Sequence, residues 1–194
     1  MKKTLMFLSL IITLWWMGSI AFARIIHVPA DQPNIQAGID VAQDGDTVVV
    51  ADGRYIGEGN RNITFKGKAI TVKSQNGSKK TIIDVERGTG FDFRGGLTPA
   101  SVLDGFTVRA VIQCRSASPT ITNCQISGNP GGIYCESSSA IFINCKVAGT
   151  ATTPSEGVFH AVGSSLTIKD CIIDKPIVVS GSHHNGLFAF QSSL

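Results

Sequence analysis

The chain has 194 residues, with 17 Lys and Arg against 14 Asp and Glu, for a formal charge of +3. That balance lacks the clustered basic excess that a nucleic-acid partner requires. The length suits a single domain.

The first element is a targeting segment. Lys2 and Lys3 precede an apolar run from Leu5 to Ala21, and Ala21-Phe22-Ala23 is a small-x-small cleavage pattern. Residues 1–23 therefore read as a signal peptide cleaved after Ala23, with an uncleaved anchor as the lesser alternative. The mature chain would begin at Arg24, and losing both lysines takes the formal charge from +3 to about +1. The expected location is secreted or cell-surface, with the periplasm as a further possibility and no membrane span after cleavage.

Residues 24–58 read as an N-terminal cap and first coil. Between Pro33 and Ala42 the apolar residues Ile35, Ile39 and Ala42 fall at helical spacing behind a proline near the start. Asp44-Gly45-Asp46 follows as a turn, and Thr47 to Ala51 as a strand. The spacing predicts a short helix from Ile35 to Ala42 that covers the end of whatever comes next.

What comes next repeats. Pro119 to Ile126, Ala140 to Val147 and Leu166 to Ile173 superpose residue for residue. A period between roughly 20 and 30 residues built from β-type segments defines a solenoid. Within a unit the apolar residues step by two, then three, then two, as in Leu166, Ile168, Cys171 and Ile173. Steps of two mark a strand with one buried face; the step of three marks a corner. Asn123, Asn144 and Asp170 occupy that corner, and Asn and Asp suit a left-handed backbone turn. A third strand lies ten residues before each cysteine of the repeat, at Ile112-Gln113-Cys114, Ile133-Tyr134-Cys135 and Phe159-His160-Ala161. The register steps back to Phe91-Asp92-Phe93 and Phe106-Thr107-Val108, with weaker versions at Ile63-Thr64-Phe65, Ile70-Thr71-Val72 and Ile82-Ile83. Residues 59–180 are thus expected to form parallel β-helix coils, about six turns in all. Residues 181–194 are expected to be a C-terminal tail, with a truncated coil as the alternative.

Val28-Pro29-Ala30-Asp31-Gln32-Pro33-Asn34-Ile35-Gln36-Ala37, then Asp44-Gly45-Asp46-Thr47-Val48 and Asp52-Gly53-Arg54-Tyr55, resembles the opening of right-handed parallel β-helix proteins of the pectin-lyase-like superfamily. The resemblance runs from about residue 25 to 175. It implies an all-β, right-handed parallel β-helix with three-strand coils and a capping helix. The superfamily contains polysaccharide lyases, glycoside hydrolases and pectin esterases, so a carbohydrate is the implied ligand class.

The five cysteines fall at inward positions in two columns, Cys114 with Cys135, and Cys124 with Cys145 and Cys171. Stacked strands hold such side chains parallel at about 4.8 Å, wider than the roughly 3.5 to 4.5 Å between Cβ atoms in a disulfide. Free buried thiols are expected, with disulfides as the alternative. No zinc-type spacing accompanies them, and His183-His184 lacks a third ligand, so no metal or other cofactor is expected.

The sequence carries no GxSxG, HExxH or P-loop, and no carboxylate pair or calcium cluster of the superfamily's enzymes is recognisable. One face is nevertheless a candidate. If the inward residues of the third strand alternate as above, Asp92, Gln113, Tyr134 and His160 point outward, joined by Arg94, Arg115 and Glu136. An aromatic ring and hydrogen-bonding groups at coil spacing suit a sugar polymer, while ordinary solvated polarity is the plain alternative. The expected function is an exported, non-catalytic module that binds a polysaccharide or cell-surface glycan or serves as a scaffold. The alternative is a carbohydrate-active enzyme, or a fragment of one.

Overall fold

The computed structural model describes residues 22–128, 132–149, 159–174, 177–180 and 189–191. Most of the expected signal segment and of the C-terminal tail, including His183-His184, lies outside the described residues. The chain runs through strand β1 (Ile25–Val28), helix α1 (Ile35–Val41), β2 (Thr47–Val50) and β3 (Gly53–Tyr55). β4 (Thr71–Ser74) leads to the long strand β5 (Thr81–Arg94), and β6 (Val102–Asp104) to the long strand β7 (Thr107–Arg115). Three regular coils follow: β8 (Thr120–Thr122), β9 (Gln125–Gly128) and β10 (Ile133–Glu136); β11 (Ile141–Ile143), β12 (Lys146–Gly149) and β13 (Phe159–Val162); β14 (Thr167–Lys169), β15 (Ile172–Ile173) and β16 (Ile177–Ser180). β17 (Ala189–Gln191) then returns to the first face.

The first face stacks β1-β2-β4-β6-β8-β11-β14-β17. The second carries β3, the first halves of β5 and β7, β9, β12 and β15; the third carries the second halves of β5 and β7, β10, β13 and β16. All these ladders are parallel, as the repeat predicts. The second and third faces are expected to be separate strands, but in β5 and β7 they are continuous. In β7 burial alternates without interruption from Val108 through Ala110 and Ile112 to Cys114. No left-handed residue breaks the strand there, so it bends without ending.

The corner between first and second faces is sharper. Gly105, Asn123, Asn144 and Asp170 occupy it with φ of 79°, 54°, 50° and 53°, the region that Asn and Asp enter at low cost. Their side chains stack: Asn144 Nδ2 donates to Asn123 Oδ1 at 2.8 Å, and Asn123 Nδ2 to Asp104 Oδ1 at 2.7 Å. The buried interior is aliphatic and aromatic, with Phe65 against Phe93 at 5.0 Å and Phe142 edge-on to Phe159 at 5.1 Å between centroids.

The cysteines are free. Cys114 lies directly opposite Cys135 on neighbouring coils, and both are fully buried. The neighbouring Cys124 thiol and burial push the Cys145 thiol up to about 12. Cys171, expected to be inward like the rest, is only half-buried.

The cap is built from side chains that replace missing strands. Asn34 caps α1 by accepting the Ala37 N–H at 2.8 Å. Ile35 and Ile39 are fully buried. Gly38 lets the helix approach closely, since a Cβ there would lie 3.0 Å from both Val28 Cγ2 and Val48 Cγ1. At the other end Lys68 Nζ donates to the carbonyls of Ile39, Asp40 and Ala42 at 2.7, 2.8 and 2.7 Å. Gln36 closes the third face. Its Nε2 donates to Thr64 O at 3.2 Å, and its Oε1 accepts the Thr64 N–H at 2.9 Å. Ile63, on the opposite edge, bonds onward to Gly90 and Asp92. The expected strand at Ile63-Thr64-Phe65 is therefore a single bridge, Ile63 to Phe91, because left-handed Asn62 and Lys66 bound it and Gln36 takes the outer ladder positions.

Candidate functional site

The third face brings the expected column together. Asp92 lies beside Gln113, Gln113 beside Tyr134 and Tyr134 beside His160, each in direct parallel register. The adjacent column aligns Arg94, Arg115 and Glu136. Inward of them Phe91, Phe93, Ile112, Cys114, Ile133, Cys135, Phe159 and Ala161 are all buried, which fixes the outward direction of the alternating residues. The same register continues to Val178 and Ser180, so the polar column ends at His160.

The groups interact along the face. Arg115 Cζ lies 6.0 Å from the Tyr134 ring centroid, within cation–π range. Arg115 Nε is 4.0 Å from Glu136 Oε2, a loose pair between half-exposed side chains.

Asp92 departs from the expectation of an open surface group. It is on the outward side but only 5% exposed. Arg94 covers it, donating to Asp92 Oδ2 from Nε at 2.7 Å and from Nη2. The other oxygen, Asp92 Oδ1, is buried and has no protein donor among the described residues. An orphaned buried acceptor of this kind requires an account, since leaving one unmatched costs about 1 to 3 kcal/mol.

A second concavity was not anticipated from the sequence. A groove of about 350 Å³ follows the corner between the first and second faces, where Ser78, Asn123, Gln125, Asn144, Lys146 and Asp170 line it. The corner residues were legible as a ladder. The groove was not, because it also needs the Gly77-Ser78 loop from two coils earlier. No group of three potential metal ligands occurs among the described residues. No described helix is long and apolar enough to cross a membrane.

Parallel coils, asparagine-type corners and a helical cap define a β-solenoid. Residues 34–193 match the family model for the right-handed β-helix region, and the chain belongs to that family. This accords with the resemblance to pectin-lyase-like proteins and gives the coil its right hand. No curated protein and no solved structure matches the chain.

Proposed function

We propose that the chain is an exported β-helix module that binds an extended polysaccharide on its third face without turning it over. The observation that carries this reading is Asp92, a buried carboxylate on the outer side of the sheet whose Oδ1 lacks a protein donor. A ligand hydroxyl would supply that donor once the exposed Arg94 side chain swings off the carboxylate. Beyond it Gln113, Tyr134 and His160 continue at one residue per coil, a spacing of about 4.8 Å that offers repeated contacts to a repeating chain. Tyr134 gives a sugar ring a stacking surface, while Arg94, Arg115 and Glu136 offer hydrogen bonds along its edge. Affinity is weak, since one aromatic platform and no closed pocket contribute.

The carboxylates support binding over catalysis. Asp92 and Glu136 stand two coils apart, about 10 Å or more along the axis, beyond the roughly 5 to 9.5 Å that paired carboxyl groups span in glycoside hydrolysis. Each also faces an arginine. The test is affinity electrophoresis and glycan arrays with pectin, alginate and related polymers. Tyr134→Ala with Arg115→Ala should weaken retention about tenfold or more. Retention that survives the double change places the ligand elsewhere. Release of unsaturated or reducing ends that disappears in Asp92→Ala would make the same face an active site.

A further inference from the structure

Arg24 is gripped before the first strand begins. Its backbone nitrogen donates to Asp46 Oδ1 at 2.8 Å, and its guanidinium donates to Asp46 Oδ2 from Nε at 3.1 Å and Nη2 at 2.8 Å. Nη2 also reaches Val41 O at the end of α1, at 2.9 Å. Asp46 Oδ2 accepts the Gln43 N–H at 2.9 Å as well, and Asp46 is only 3% exposed. The residues immediately before are different: Phe22 is 83% exposed and Ala23 is exposed. A sharp boundary between held and unheld chain thus falls at the Ala23–Arg24 peptide bond.

We propose that hydrolysis of the Ala23–Arg24 bond creates the mature N-terminus, and that Asp46 is the socket for the new α-ammonium of Arg24. The cleavage rests on the export reading above; the socket rests on geometry. Water adds its hydroxyl to the Ala23 carbonyl carbon as the C–N bond breaks. Ala23 leaves as a carboxylate and Arg24 keeps the nitrogen as an ammonium. The agent is an endopeptidase that reads small residues at Ala21 and Ala23. Before cleavage the nitrogen meeting Asp46 is a neutral amide. Afterwards it is a cation at hydrogen-bond distance from a carboxylate, and charge-assisted bonds are roughly twice as strong as neutral ones. Processing therefore tightens the join between first strand, helix and turn.

Other charges near the socket are accounted for. The Arg24 guanidinium shares Asp46 and opposes the ammonium. Asp44 accepts the Ala69 N–H at 2.9 Å, Lys68 is committed to the α1 carbonyls, and Asp40 pairs with Lys66 at 2.7 Å. Asp46 keeps its charge at every pH where the amine titrates, because the Arg24 and Gln43 N–H groups hold its carboxyl at about 2.

The experiment expresses the full chain with its leader in a bacterial host and takes the exported product. Intact mass should place the first residue at Arg24. A chain found only in the cytoplasm sinks the export reading and this proposal with it; an exported chain that keeps its leader, or is cut at another bond, sinks this proposal alone. Trace acylation of the α-amine against pH, read by mass spectrometry, then gives its midpoint. The midpoint should lie about one unit or more above the ordinary value near 8 and return to it in Asp46→Asn. Should that variant fail to fold, the wild-type midpoint still decides: an ordinary value in a chain correctly starting at Arg24 overturns the socket.

Discussion

Lys68 shows how much a single side chain contributes where a coil must start. Three helix-end carbonyls converge on its ammonium, a donor beyond the one Ala42 N–H that the cap gives to Ile39 O, and it places a cation at the negative end of the helix dipole. Lys68→Met keeps the stem and removes the donors. It should cost about 2 kcal/mol, seen as a lower urea midpoint with an unchanged slope. Asp46 makes the acid limb of stability. Its folded carboxyl titrates at about 2 against a usual 3.8, so its contribution is fully present above the usual value. It is lost as the pH falls through the folded one. Asp46→Asn should flatten the stability profile between about pH 4 and pH 2, measured by thermal unfolding; an unchanged acid limb would remove Asp46 as its source. Neither role was legible in the sequence. Long side chains choose partners across the fold, whereas Asn123 and Asn144 announce their corners because their reason is local backbone conformation.

At the scale of elements, the inward positions were the legible part. Phe91, Ile112, Ile133 and Phe159 repeat because each must stack on the next coil, and a core position constrains residue type strongly. The outward positions carry no such constraint, so the column from Asp92 to His160 was placed correctly in direction while the burial of Asp92 under Arg94 was not. Continuous β7 was missed for a related reason: a gentle bend leaves its alternation intact and writes no signal, while β5 runs on through an irregular register between Asp84 and Phe91. The cysteine columns give a direct test. Unfolding without reductant should expose close to five reactive thiols per chain, all five being free, and in the native state they should react slowly, because neighbouring thiols and then burial raise Cys114, Cys145 and Cys171. One reactive thiol would mean two disulfides and a different column geometry.

Over the whole molecule strands pair only between neighbouring coils, so stability is close to a sum of coil and interface contributions rather than a single core. Hydrogen exchange should therefore be slowest in the middle, in β6 to β10, and faster in β1 and β16. Uniform protection would show that the coils do not behave as separable units. Phe142→Ala, which removes the edge-on contact to Phe159, should cost about 3 to 5 kcal/mol and loosen the coils on either side first.

The pairing of Gln36 with Thr64 has a consequence for how copies of this chain can meet. Coil-on-coil polymers join the head of one solenoid to the tail of the next, a heterologous contact that never closes. Each added copy needs an open head. On the third face that head is occupied, because the Gln36 amide already fills the hydrogen-bonding positions at Thr64 that an incoming strand would use, and α1 covers the interior behind it. An incoming strand cannot pair at Thr64 while Gln36 holds it, and Gln36→Ala is the change that would begin to free that edge.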